Sequence, residues 1–126
     1  MRPHVVVCEN CLEPEHPALV RLADDGYDVF HCNDGEQLLE EVVQHRPVAV
    51  IYQVRPDSLQ DLGVLKLLRR VAPRVPLVLL ASEGSLDTQR LFLSLRPIYY
   101  AVLPVEPTEL TDAIRSSVLK TGNSTV

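Results

Sequence analysis

The sequence predicts a three-layer α/β sandwich, in which a parallel sheet of five strands carries helices on both faces. Three observations lead there. Short apolar runs alternate with amphipathic helical stripes along nearly all of the 126 residues. The runs are rich in valine, isoleucine and leucine, and the central ones show no polar alternation, as in strands buried on both faces. The spacing between runs suits strand–helix units, and right-handed crossovers leave few topologies for them.

Residues 4–8, HVVVC, form a short β-branched run and read as a buried strand. Residues 16–26 place Leu19, Val20, Leu22 and Ala23 on one helical stripe that Gly26 stops. Residues 27–32, YDVFHC, alternate and read as an edge strand. Residues 33–47 set Leu38, Leu39, Val42 and Val43 at helical spacing before Pro47. Residues 48–52, VAVIY, are the most continuously apolar run and so the central strand. A helix over 61–73 turns Leu62, Leu65, Leu68 and Val71 inward. Residues 76–81 form the fourth strand, 87–97 a shorter helix and 98–104 the fifth strand. The last helix starts at Thr108 as its cap and carries Leu110, Ala113, Ile114 and Val118 on its apolar stripe. Five such units fit the flavodoxin-like strand order 2-1-3-4-5. Residues 1–120 then form one domain, and 121–126 read as a disordered tail.

Composition narrows the function. The net charge is −5, from 12 basic and 17 acidic side chains, which argues against direct nucleic-acid binding. The one basic cluster, Arg69, Arg70 and Arg74, reads as cations placed at a helix C-terminus. No apolar run reaches the ~18 residues of a membrane span. The N-terminus reads as a strand and not as a secretory signal, and the cysteine count is odd, so a cytoplasmic location is expected.

In an open α/β sheet, chemistry gathers beyond the carboxyl ends of the strands. Those ends carry Cys8, Glu9, Asn10 and Cys11 on the first strand and Gln53 on the third, with Pro56 and Asp57 beyond it. The fourth ends in Ala81 and Ser82, and the fifth in Leu103 and Pro104. The acidic-polar pair Glu9-Asn10, "RP" followed by "DLG", "PLVLLAS" and "YAVLPVEPTEL" occur in an order and spacing that resemble the receiver domain of bacterial response regulators. The likeness runs from about Pro3 to Lys120. It implies a phosphoacceptor aspartate on the third strand, fed by a histidine kinase. It further implies two acidic Mg²⁺ ligands after the first strand, a Thr or Ser ending the fourth, and a Lys ending the fifth.

Position by position, these parts are missing. The acceptor position is Gln53, an amide without an anionic oxygen. The acidic pair is reduced to Glu9 with Asn10, short of the anionic oxygens that Mg²⁺ prefers. The hydroxyl position is Ala81, with Ser82 one residue late, and the cation position is Leu103. The resemblance is therefore to an atypical receiver, or pseudo-receiver, with no enzymatic activity and no cofactor. Gln53 is either a fixed mimic bonded to Asn10 or Glu9, or a satisfied buried amide. Pro104 matches a family proline whose preceding peptide bond is often cis.

The surface that receivers offer to partners comprises helix 4, strand 5 and helix 5. Here it would hold Arg90, Phe92, Tyr99, Tyr100 and Val105, with Leu91 and Leu95 nearer the core. Tyr100 matches the family's switch aromatic. A homodimer or protein partner is expected there, with an output domain or sensor kinase as candidates. The rival reading starts from Cys8-Glu9-Asn10-Cys11, whose spacing fits a redox pair or half a zinc site. Cys32 with His31 or His16 could complete it. Phosphorylation at Asp57 or Asp61 is a further alternative, although both read as turn or cap residues. A small apolar ligand in the vacated pocket is another.

Overall fold

A computed structural model of the chain describes residues 2–8, 12–56 and 58–124, with side chains through Leu119. Strands and helices alternate without exception: β1 (His4–Cys8), α1 (Pro17–Asp24), β2 (Asp28–Cys32), α2 (Gly35–His45), β3 (Ala49–Val54), α3 (Leu59–Val71), β4 (Leu77–Ala81), α4 (Leu86–Leu93), β5 (Tyr99–Val102) and α5 (Pro107–Ser124). All strand pairs are parallel, and the order is β2-β1-β3-β4-β5, as the sequence predicts.

The order follows from burial. Every residue of β4 is buried, as are Val5 to Cys8 of β1 and Ala49 to Tyr52 of β3, so these three strands fill the middle. Edge strands β2 and β5 are mostly half-buried. Alternation along each strand feeds two cores. Val6, Cys8, Val50, Tyr52, Leu77 and Leu79 pack beneath α2, α3 and α4. Val5, Val7, Ala49, Ile51, Val78 and Leu80 pack beneath α1 and α5.

The helix stripes are narrower than the apolar spacing predicts. Helix α1 buries Ala18, Leu19 and Leu22, while Val20 and Ala23 face solvent. Val43 of α2 and Val71 of α3 are exposed too. A helix lying flat on a sheet buries a strip of roughly 100°, and these residues fall outside it. Strand β3 runs two residues past Tyr52 and so includes Gln53. Helix α5 starts at Pro107, and the Glu106 carboxylate accepts the Glu109 N–H at 2.8 Å. The cap is therefore Glu106 and not Thr108, with proline at the favoured first position. The backbone stays helical to Ser124, through part of the segment read as a tail. Among the described residues, no helix is long and apolar enough to cross a membrane.

Two helical glycines make opposite predictions. A Cβ at Gly63, inside α3, would meet nothing within 4 Å. Gly63→Ala should raise stability by about 0.5–1 kcal/mol in urea unfolding, the helix-propensity difference. A Cβ at Gly35 would lie 2.8 Å from Val64 Cγ2, where α2 crosses α3. Gly35→Ala should lower the same midpoint.

Candidate functional site

At the carboxyl edge of the sheet three helices begin on side-chain caps. Asp34, Ser58 and Ser85 each accept the backbone N–H three residues on, which satisfies an otherwise orphan donor. Gln53 sits here, half-buried between buried Tyr52 and Val54. Register places it beside Leu80, which lies beside Ala101. Alternation turns it, with Ile51, toward the α1/α5 layer. Leu103 follows β5, packs on that same layer and donates its N–H to the Ala81 carbonyl at 2.8 Å. Ala81 is buried in the opposite layer, and Ser82 is exposed. The Leu103–Pro104 peptide is cis. Gln53 and Leu103 thus share a face and Ala81 lines the other. None of the three offers an anionic oxygen, a hydroxyl or a cation. Glu9, Asn10, Cys11 and Asp57 lie outside the described residues.

The strongest electrostatics at this edge belong to Asp61, which the sequence presents as an ordinary turn or cap residue. In the first turn of α3 its side chain is fully buried. Tyr52 Oη donates to its Oδ1 at 2.7 Å, and Arg55 Nη2 donates to the same atom at 2.8 Å. Its Oδ2 accepts the Arg55 backbone N–H at 2.9 Å and Arg55 Nε at 3.2 Å. The Asp61 N–H in turn donates to Ser58 Oγ at 3.1 Å. Burial alone would push this carboxyl up, but the donors from Arg55 and Tyr52 outweigh it and hold the group below the ordinary carboxylate range. Both oxygens are committed, so Asp61 clamps the β3–α3 connection and does not stand open as an acceptor.

Two buried hydroxyls on the α4 side find no partner, Thr88 Oγ1 and Tyr100 Oη. Burial raises the Tyr100 pKa.

No family model matches the chain. A probable transcriptional regulator, ycf27, of Cyanophora paradoxa is 32% identical over 106 residues, 84% of this chain and 44% of the relative. The response regulator MprA of Mycobacterium leprae is 30% identical over 100 residues, 79% of this chain and 44% of the relative. The chain thus spans less than half the length of either. Among solved structures, a CheY-like response regulator receiver domain protein from Methanospirillum hungatei superposes with a TM-score of 0.82 at 13% identity, over 98% of this chain and 99% of that one. The chain has the fold of a CheY-like receiver domain.

On the α4–β5–α5 surface of this receiver, burial redraws the expected face. Phe92 is fully buried and Val105 is 6% exposed, so both belong to the cores and neither can meet a partner. Arg90 is exposed. Tyr99 is half-buried and donates to Glu109 Oε2 at 3.0 Å. Partial burial, that hydrogen bond and the charges of Glu109 and Glu106 push the Tyr99 pKa up to about 12. Leu86, Leu93 and Val102 are exposed large apolar residues that were not expected. Leu86, Arg90 and Leu93 share one face of α4, a seven-residue spacing that was legible beside the buried Phe92 stripe.

Of the rival reading's cysteines, Cys11 lies outside the described residues. Cys8 and Cys32 are register partners on adjacent strands, both fully buried in the same core. His31, one residue before Cys32, points to the opposite face. His16 Nδ1 caps α1, accepting the Ala18 N–H at 3.1 Å. Among the described residues no three His, Cys, Asp or Glu side chains are grouped to hold a metal.

Asp61→Asn should lower stability by about 1–3 kcal/mol, because the Arg55 and Tyr52 donors lose their charged acceptor. The pH dependence has a definite sign. Asp61 has a lower pKa folded than unfolded, so its contribution is complete above about pH 4, the unfolded value. It is lost as pH falls through the folded value. Acid unfolding curves of the wild type and Asp61→Asn should therefore converge toward low pH. Thr88→Val, which removes an unpaired buried hydroxyl at nearly constant volume, should be neutral or stabilising in the same assay.

Proposed function

We propose that this receiver signals by protein contact and does not take up a phosphoryl group. The observation that carries the reading is the set of three strand-end positions, Gln53, Ala81 and Leu103, which hold an amide, a methyl and an isobutyl group. Phosphoryl transfer to a receiver needs an anionic nucleophile and positive charge or donors on the developing equatorial oxygens. An amide and two apolar side chains supply neither the anionic nucleophile nor the positive charge, and the amide NH₂ is their one source of donors. The relatives' names, transcriptional regulator and response regulator, support a place in two-component signalling, with an output domain or a sensor kinase as the partner.

The contact surface in this reading is α4–β5–α5, carried by Arg90, Tyr99 and the rim of Tyr100. The exposed Leu86, Leu93 and Val102 extend it, and such apolar residues around a tyrosine suit a protein interface. A second copy of the chain or a separate partner could use it.

Incubation with acetyl phosphate and Mg²⁺ should give no phosphoryl mass gain, and Gln53→Asp alone should not restore one. Phosphorylation of the unaltered chain would overturn the proposal. For the surface, Tyr99→Ala and Leu93→Ala should weaken association about tenfold with little loss of stability. Sedimentation and thermal unfolding read the two effects, and unchanged association would exclude this face.

A further inference from the structure

The opposite end of the molecule carries a feature that the strand-end reading does not use. Where α2 and α3 finish, their last turns enclose an open groove of roughly 550 Å³ at the amino ends of β3 and β4. Val42, Val43, Val71 and Val75 line it, with Arg46 and Arg74 among its walls. Val43 is 59% exposed and Val71 48%, so the groove presents apolar surface to water.

The charge around it is one-sided. No aspartate or glutamate occurs in residues 42–56, 62–82 or 88–105, although the chain has 17. Those stretches hold eight lysines and arginines, of which Arg46, Arg69, Arg70, Arg74 and Arg96 lie in or just past the last turns of α2, α3 and α4, and Arg90 lies in the last turn of α4. Arg69 and Arg70 lie in the last turn of α3, where the helix dipole favours cations. Arg69 donates to the carbonyls of Leu95, Pro73, Val75 and Arg96. Burial, and to a smaller extent the neighbouring Arg96 charge, lower its pKa. Arg46, Arg70, Arg74 and Arg96 form no ion pair with a described carboxylate.

The backbone adds an independent observation. Arg46 and Arg96 have φ of 45° and 55°. Each follows a helix C-terminus, where glycine would adopt the left-handed conformation without strain. The chain holds arginines in strained positions around this pole.

We propose that the groove between α2 and α3 docks an acidic amphipathic segment of a partner protein, whose apolar side chains fill the valine-lined groove and whose carboxylates meet Arg46 and Arg74. Charge complementarity selects the acidic partner, and the valine lining selects an amphipathic one. Nucleic acid fits poorly, because the groove has no aromatic platform and the net charge of −5 repels a long polyanion. A bilayer fits poorly, because the apolar surface is concave. The proposal is independent of the chemistry at Gln53.

The probe is a labelled synthetic peptide of about five helical turns, with leucines on one face and glutamates on the others. A scrambled peptide of the same composition and a single-stranded oligonucleotide are the controls, with vesicles containing phosphatidylserine as a third. Fluorescence anisotropy should show binding of the amphipathic peptide alone, and NMR should show shifts of the Val43 and Val71 methyl signals. Arg74→Glu should weaken binding about tenfold. Arg46→Gly should weaken binding while raising the thermal midpoint, since glycine relieves the strained φ, so misfolding cannot explain the loss. Absence of binding, shifts elsewhere, or unchanged affinity in either variant would overturn the proposal. So would equal binding of the scrambled peptide, oligonucleotide or vesicles, or occupation of the groove by a second copy of the chain.

Discussion

The constraint that shapes this receiver is that β1, β3 and β4 are buried on both faces. A parallel strand in that position has no solvent side on which to carry polar groups, so both of its faces must be apolar. The sheet is thereby sealed between two helical layers, and polar chemistry is driven to its two ends. At the carboxyl end the helix N-termini gather, with their caps Asp34, Ser58 and Ser85. At the amino end the helix C-termini gather, with the arginines. A strand of six residues such as β3 separates the two ends by roughly 20 Å.

Among the described residues, Asp61 is the one carboxylate that this arrangement draws fully inside. Its position is tolerable because four donors reach its two oxygens and Arg55 brings a compensating charge from the solvent side, where its own side chain is 52% exposed. The consequence is mechanical. Tyr52 lies in β3, Arg55 in the connection and Asp61 in α3, so one carboxylate fastens strand, loop and helix together next to Gln53. A loop held this way is suited to presenting a fixed shape.

The sequence made the fold legible because buried parallel strands are the clearest pattern it can carry: long apolar runs of five or six residues punctuated by Gly26, Pro47 and Pro76. It made the candidate strand-end positions legible because those are fixed by topology. It hid the Asp61 clamp because Tyr52 reads as one more apolar strand residue and Asp61 as one more polar residue near a helix start. Only the close approach of strand end and helix start brings the hydroxyl within 2.7 Å of the carboxylate. Phe92 was misassigned for a related reason. Helical spacing fixes which residues share a stripe, but not which stripe faces the sheet, and α4 turns Phe92 inward and Leu93 outward.

The arginine pole follows from the same logic. A helix C-terminus attracts cations, so three basic residues at the end of α3 look like ordinary dipole compensation. That argument covers Arg69 and Arg70 in the last turn of α3, and Arg69 also donates to four loop carbonyls beyond the helix ends. Arg46 and Arg96 do not meet it: each places only its own backbone past a helix end, at a positive φ that costs a non-glycine residue about 1 kcal/mol. A dipole gives no reason to keep arginine there, since glycine would close the helix with less strain. A partner that needs positive charge at that point does give a reason. The two ends of the sheet are therefore open to separate duties, the carboxyl end holding a fixed shape and the amino end holding charge that nothing within the described chain neutralises.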